Sequence, residues 1–275
     1  MNTVVFSKNR PMQLDALLRS LLVYNQSWTD CHVTVIYVAS SPEFELGYDQ
    51  VRRYWSQNVE VEFREQTDSF KQDVLDAIRS HDALTMFLVD DIIFTAPFHL
   101  SDKPNQNCLH TEQVICCSLR LWPGVNYCYP TREIVQVPEC QLKNLNFTSY
   151  LFNWKGGQGD FGYPMSVDGH IFRTPFILRV LNAIQFHNPN SMEGAMAGLA
   201  GFLGQWNFMT CYKDKARLVN IPANRVQDTA PNRHGDLWTP EELNVQFLAG
   251  RAIDINPFKD LQSTAPHMEL PLRLV

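Results

Sequence analysis

Two aspartates stand side by side, Asp90-Asp91, at the end of the run Leu84-Thr85-Met86-Phe87-Leu88-Val89. Met86 to Val89 are unbroken apolar residues, the pattern of a strand buried on both faces. Ile92, Ile93 and Phe94 resume that character at once, so the acids interrupt a core element. Adjacent carboxylates repel, and burying them unpaired is costly. Hard oxygen donors suit magnesium or manganese, and a bound cation removes that cost. A strand end capped by two solvated acids is the other reading of the same residues.

A second dense segment is Tyr163-Pro164-Met165-Ser166-Val167-Asp168-Gly169-His170-Ile171-Phe172-Arg173. As a strand it places Asp168 and His170 on one face, with Gly169 permitting close approach of backbone or ligand. Glu193 falls in the first turn of a helix that Ser191 can cap, where the helix dipole alone accounts for an acid. Gly157-Gln158-Gly159-Asp160-Phe161-Gly162 spells GxGxxG, but Tyr163-Pro164 follows and no helix opens, which excludes a dinucleotide fingerprint.

The elements that position these residues begin at the N-terminus. Thr3 to Ser7 read as a strand, Lys8-Asn9-Arg10 as a polar turn, and Pro11 as the first residue of a helix carrying Leu14, Leu17, Leu18, Leu21 and Leu22. His32 to Val38 form a second strand, followed by Ser40-Ser41-Pro42 and another helix. Val59 to Phe63 alternate as a third strand, and Asp68-Ser69 cap a helix from Phe70 to Ile78 with Lys71 in its first turn. This alternation predicts an α/β, Rossmann-type, mostly parallel central sheet flanked by helices. Ligands bind such sheets outside the carboxyl ends of the strands, where strand order reverses. Lys8, Arg10, Ser40, Ser41, Asp68, Lys71, Asp90 and Asp91 all follow strands, so they are expected along one edge. Acids, cations and hydroxyls together there suit a metal–diphosphate ligand, whereas Lys8 and Arg10 taken singly read equally as solvated loop residues.

After residue 95 the pattern is mixed. Val114 to Leu119 read as a strand, Trp122 to Leu145 are irregular, and Tyr150 to Trp154 are aromatic-rich. Thr174-Pro175 cap a helix running to about Gln185, and Arg217 to Pro222 are strand-like. Thr239-Pro240-Glu241-Glu242 start a helix, and the tail from Asn256 has little pattern. The organisation expected is one domain over 1–275, with a nucleotide-binding half (1–95), an acceptor-side half (96–255) and a tail (256–275).

A chain of 275 residues with 45% hydrophobic and 19% charged content has an ordinary globular composition. The net charge of -6 and the lack of a basic run argue against a nucleic-acid binder. No apolar stretch reaches the ~18 residues of a membrane span, and the first residues lack the pattern of a signal peptide. Seven cysteines without CxxC spacing suggest free thiols and a cytoplasmic, reducing setting. The Asn-x-Ser/Thr triplets at Asn25 and Asn146 carry little meaning without a secretory signal.

Val4-Val5-Phe6-Ser7-Lys8-Asn9-Arg10-Pro11 resembles the first strand of GT-A-type nucleotide-sugar glycosyltransferases, and Phe87-Leu88-Val89-Asp90-Asp91-Ile92-Ile93-Phe94 resembles a variant of their DxD motif. Ser118 to Leu121, Tyr163 to Arg173, Asn188 to Ser191 and Asn224-Arg225-Val226-Gln227 resemble segments of bacterial and viral sugar transferases. The resemblance spans residues 1 to about 255. The motif here is Asp-Asp-Ile where the family has Asp-x-Asp, which leaves open which acid touches metal.

The resemblance implies a GT-A-like fold with a mixed C-terminal acceptor-side region. It implies a hexosyl- or pentosyltransferase that moves a sugar from a nucleoside diphosphate, UDP before GDP, to an acceptor hydroxyl on a glycan or glycoconjugate. Mn2+ or Mg2+ held by Asp91, with Asp90 near the ribose, would neutralise the departing diphosphate, and Lys8, Arg10 or Lys71 would assist. Phe6, Ser7 and the loop at Ser40, with Asp68 on the same edge, would surround the nucleoside. Asp168 is the first candidate for the base an inverting reaction requires, and Glu193 the second. His170 or His234 would complete the metal shell or bind phosphate, and Trp154 and Tyr163 would stack on sugar unless they pack in the core. Two other readings stay open: a sugar-phosphate nucleotidyltransferase, though Lys8-Asn9-Arg10-Pro11 lacks the glycine-rich phosphate loop, and a non-catalytic nucleotide-sugar-binding module.

Overall fold

Apolar residues on alternate sides of four neighbouring strands fix the centre of the molecule. In a computed structural model describing residues 1–58, 60–141, 148–226, 233–235 and 237–275, these strands are β1 (Asn2–Lys8), β2 (His32–Val38), β3 (Val61–Glu65) and β4 (Leu84–Val89). They pair in parallel in the order β3-β2-β1-β4. Val5, Val35, Met86 and Leu88 pack on one face, and Val4, Phe6, Ile36 and Phe87 on the other. Helices α1 (Pro11–Tyr24) and α2 (Pro42–Trp55) belong to the first face, and α3 (Phe70–Asp76) to the second. Burial on both faces is why β1, β2 and β4 read as apolar runs with little polar alternation, whereas the half-buried edge strand β3 alternates.

The chain runs outward from β1 through β2 to β3, then returns to β4 on the other side of β1. Strand order therefore reverses between β1 and β4, which opens a crevice at their carboxyl ends. Phe6 lies opposite Val89, and the Asp90 N–H donates to the Phe6 carbonyl at 3.1 Å. That register sets Ser7 and Lys8 of β1 beside the aspartates.

The remaining elements are β5 (Ile92–Phe94), α4 (Lys103–His110), β6 (Val114–Ser118), β7 (Tyr127–Cys128), β8 (Glu133–Ile134), β9 (Ser149–Asn153), β10 (His170–Arg173), α5 (Thr174–Ala183), α6 (Pro189–Ala200), β11 (Phe208–Tyr212), β12 (Leu218–Asn220) and α7 (Pro240–Leu248). The sheet continues β4-β10-β6-β11-β9, with β10 and β9 antiparallel to their neighbours. The expected α/β sheet is present, and its second half is mixed. β12 pairs antiparallel with β5, setting Asn220 opposite Ile92 next to the acids.

Several elements differ from the sequence expectation. α6 starts at Pro189 because the Asn188 side chain accepts the Ser191 N–H at 2.8 Å, so Ser191 is inside the helix and Glu193 lies past its first turn. The irregular stretch from Trp122 contains the short β7–β8 hairpin. The tail does not wander. It packs against β12 and the segment leading into β7, with the Asn126 N–H donating to Thr264, Trp122 Nε1–H to Ser263, and the Asn220 N–H to Pro266. At α7 the reading holds: Thr239 and Glu242 form a reciprocal capping box. Val59, Asn146, Gln227 and Asn232 lie outside the described residues.

Candidate functional site

Arg10 is the cation around which the crevice is built. Asn9 takes a left-handed φ of 55°, which turns the chain sharply from β1 into α1. Its side-chain amide fixes the turn by accepting the Ser40 N–H at 2.8 Å and donating to Ser40 Oγ at 2.6 Å. Arg10 then projects inward, 8% exposed, and Nη1 donates to Asp90 Oδ1 at 3.0 Å and to Asp91 Oδ2 at 3.1 Å. Nε donates to Asn224 Oδ1 at 2.8 Å, and Nη2 to the Asn224 carbonyl. Burial opposes its charge, but the two aspartates outweigh burial and hold the guanidinium above its usual range.

Asp90 is enclosed. Its Oδ2 accepts from Ser7 Oγ at 2.9 Å and from the Lys8 N–H at 3.1 Å. Ser7 spends its hydrogen on Asp90, so Tyr48 Oη must donate to Ser7 Oγ across 2.7 Å while accepting the Arg10 N–H at 3.3 Å. Asp91 is less supported: Oδ2 shares Arg10, and Oδ1 accepts Asn220 Nδ2–H at 2.8 Å. Burial pushes its carboxyl up to about 6; Arg10 opposes this, and Asp90 and Asp168 add to it. Asp90 thus accepts from three donors and Asp91 from two.

Both acids line a cavity of about 830 Å3. Phe6, Ile36, Val38, Gln66 and Phe70 form one end, with the Phe6 and Phe70 rings 5.4 Å apart. Lys8, Arg225, Arg233 and His234 add cationic or titratable groups, and Arg120, Asp160, Tyr163, Asp168, Glu193 and His267 lie around the same space. Asp168 is 9% exposed. Its Oδ2 accepts from Arg120 Nη1 at 3.2 Å and from His267 Nε2 at 3.1 Å. Burial raises its carboxyl, but His267 and Arg120 outweigh burial and leave it below the ordinary range. Arg120 also pairs with Asp160 at 3.0 Å. Glu193 Oε1 accepts from Ser166 Oγ at 2.8 Å and the Val167 N–H at 3.0 Å, so it supports the turn that leads into Asp168. Burial, and then the charge of Asp168, raise its carboxyl.

Asp168 and His170 do not share a strand face. Gly169 has a φ of 76°, and a Cβ there would stand 2.4 Å from Leu218 Cδ2. The left-handed residue breaks the alternation, and β10 starts only at His170. Asp168 reaches the cavity, whereas His170 is fully buried beside Phe172 and outside the cavity lining. Burial lowers the imidazole to about 3 and Arg120 adds to this, so the ring is neutral and its Nδ1–H donates to the Pro164 carbonyl at 3.1 Å.

The structure brings together Phe6, Ser7, Lys8, Arg10, Asp90, Asp91, Asp168 and Glu193, with His234 and Tyr163 on the same lining. Ser40, Asp68 and Lys71 lie off it. Ser40 fixes the Asn9 turn, and Asp68 is exposed. Lys71 Nζ donates to Ile184 at 2.6 Å and Asn182 at 3.3 Å, which satisfies carbonyls at the end of α5. Trp154 is buried in the core, its Nε1–H donating to Trp206. Arg120, Asp160, Asn220, Asn224 and His267 are site residues that sequence reasoning did not single out. Arg120 and Asn224 fall in segments already noted, but nothing in the tail marks His267.

No group of three His, Cys, Asp or Glu among the described residues is arranged to hold a metal ion. That does not oppose a magnesium- or manganese-type site, which draws one or two protein carboxylates and completes its shell with phosphate oxygens and water. Asp91, which accepts from fewer donors than Asp90 and stands near Asp168, fits that role. Among the described residues no helix is long and apolar enough to cross a membrane, and Cys31, Cys108, Cys116, Cys117, Cys128 and Cys211 are buried free thiols.

No protein-family model and no curated protein matches the chain. Among solved structures it is similar to S. aureus TarS 1-349 in complex with UDP-GlcNAc, at 16% identity and TM-score 0.49 over 79% of this chain and 58% of that one. It is also similar to GalNAc-T7 with UDP, GalNAc and Mn2+, at 8% identity and TM-score 0.44 over 77% of this chain and 42% of that one. A third is the Pyrobaculum calidifontis mannosyltransferase PcManGT with GDP-Man and Mn2+, at 13% identity and TM-score 0.32 over 45% of this chain and 41% of that one. The chain spans between 36% and 60% of the length of the TarS chains it matches. At these identities and scores the likenesses are to part of a fold, and they assign neither family nor activity.

Proposed function

We propose that the chain is a GT-A-type glycosyltransferase that moves a sugar from a nucleoside diphosphate, UDP favoured, to an acceptor hydroxyl of a glycan or glycoconjugate. One observation carries the reading. A single cavity at the strand-order reversal is lined by Arg10, Asp90, Asp91 and Asp168, with Asp168 near enough to Asp91 to raise its carboxyl.

Phe6, Ile36, Val38 and Phe70 offer an apolar slot for a nucleobase, and Gln66 supplies polar groups at its edge. Ser7 and Asp90 are locked by the Tyr48 relay, so that wall is preorganised before ligand arrives. Lys8 and Arg225 bring positive charge to the lining, suited to a diphosphate, while Arg233 beside them is paired with Glu269 at 2.7 Å. Asp91 is the residue that would hold a divalent cation, with Asp90 behind it. Such an ion, when bound, neutralises charge that develops on the leaving diphosphate. Transfer with inversion needs a base across from the leaving group. Asp168 takes the acceptor hydroxyl proton as the new C–O bond forms, while the old sugar–phosphate bond breaks and its electron pair leaves with the nucleoside diphosphate. Arg120 holds Asp168 ionised, and Glu193 holds the turn beneath it.

The test is hydrolysis or transfer by the purified chain across UDP- and GDP-sugars, with and without Mn2+. Turnover that disappears in Asp91→Ala supports the reading. Turnover unchanged in Asp91→Ala, or none with any donor, rejects it.

A further inference from the structure

His267 arrives from the far end of the chain, yet it touches the candidate base. Asn220 of β12 clamps the tail on both sides of it: the Asn220 N–H donates to the Pro266 carbonyl at 2.9 Å, and the Met268 N–H donates to the Asn220 carbonyl at 3.0 Å. The imidazole lies roughly parallel to the Tyr129 ring, at 21° and 6.3 Å between centroids. Tyr129 is itself bonded to the tail through Glu269, at 2.6 Å from its hydroxyl. The ring is therefore fixed in place and in plane. Its Nε2 stands 3.1 Å from Asp168 Oδ2, the same oxygen that accepts Arg120. A carboxylate only accepts, so Nε2 carries the hydrogen. Nδ1 has no hydrogen-bond partner among the described residues.

We propose that His267 is a positioning residue for Asp168: with Arg120 it pins one carboxylate oxygen and leaves the other aimed into the cavity to receive the acceptor proton. This rests on the transfer reading for its chemistry, though the pairing itself does not. The charged groups around the imidazole are Asp168, Arg120 and Asp160, with Asp91 near enough to feel its charge. Burial disfavours the imidazolium, but Asp168 outweighs burial, which agrees with a held pair. The role explains why an apparently patternless tail packs so closely against β12: it completes the site.

The experiment uses the full chain and three variants, His267→Ala, His267→Gln and Asp168→Asn. Donor affinity is measured by calorimetry with UDP, and turnover with whichever nucleotide sugar the unaltered chain uses. His267→Ala is expected to lower kcat between about tenfold and a hundredfold, the cost of a misplaced catalytic group, with UDP affinity unchanged. His267→Gln, whose amide N–H can still reach Asp168, is expected to recover most of the rate, which a merely space-filling role would not explain. In parallel, the ring nitrogens of His267 are titrated by NMR. The imidazole should hold its proton to higher pH than a free histidine and lose that advantage in Asp168→Asn. Equal kcat in His267→Ala, or an imidazole titration that ignores Asp168→Asn, overturns the proposal. If no donor turns over in the unaltered chain, the transfer reading fails, while the titration still decides the pairing.

Discussion

Asn220 and His267 face each other across two backbone hydrogen bonds, and the side chain of Asn220 reaches in the opposite sense to Asp91 at 2.8 Å. One residue of a three-residue strand thus ties the candidate metal ligand to the tail that holds the candidate base. The site is assembled from parts of the chain about 175 residues apart, from Asp91 to His267, and its geometry depends on β12 staying paired with β5.

Asn220→Ala separates these two duties. The backbone clamp on His267 survives and the bond to Asp91 is lost. Denaturant unfolding should show a loss of about 1.5–3 kcal/mol, the usual worth of a hydrogen bond to a charged group. Mn2+ affinity should change while the His267 titration does not. A shift in that titration would show that the two duties cannot be separated.

Arg10→Lys tests the fork. Lysine brings the charge but cannot serve Asp90, Asp91 and both oxygens of Asn224 at once. Breaking one partner of a buried pair costs about 3–5 kcal/mol, and the replacement ammonium recovers only part of that. Unfolding in urea should register a loss of at least ~2 kcal/mol. Wild-type stability in Arg10→Lys would mean that the guanidinium geometry is immaterial.

Asp91→Asn yields a pH signature. The folded carboxyl titrates at about 6, above the ordinary value of 3.8. Between those two values the folded chain binds more protons than the unfolded one, so stability falls as pH rises through this window. Above about pH 6 the full penalty of the charged form is present. Asparagine never ionises, so Asp91→Asn should be more stable than the unaltered chain at pH 8, by on the order of 2 kcal/mol, with the advantage vanishing toward pH 4. Melting temperatures across that range check it. An advantage that does not change with pH would show that Asp91 is not the strained acid.

Asp168→Asn and Glu193→Gln separate the two acids first considered as bases. Asp168→Asn should keep UDP affinity and lose turnover by about 10²–10⁴-fold, the worth of a general base. Glu193→Gln retains an oxygen that can accept from Ser166 and Val167, so its effect on turnover should be several-fold at most. The reverse ranking would move the base to Glu193.

Much of the N-terminal half was legible in the sequence because its signals are local. The apolar runs at Val4, Val33 and Met86, the prolines opening α1 and α2, and the acids at the end of β4 all report their own surroundings. The C-terminal half was less legible. Asp168 was found as an acid in a dense segment, but a single left-handed glycine turned His170 away from it, and strand alternation cannot foresee that φ. Lys71 sits in the first turn of its helix as expected, yet carbonyls at the end of α5 take its ammonium. Arg120 and His267 act through partners 48 and 99 residues from them in sequence. Pairing at that separation leaves no periodicity to read.

Soaking a crystal in UDP and Mn2+ shows directly whether the crevice beside Asp90 and Asp91 takes a nucleoside diphosphate. The pyrophosphate is expected at the carboxyl edge between β1 and β4, metal density within ligand distance of Asp91, and the nucleobase against the apolar end formed by Phe6 and Phe70. Nucleotide bound elsewhere, or an edge that stays empty with Arg10 still closed over both aspartates, would contradict that placement.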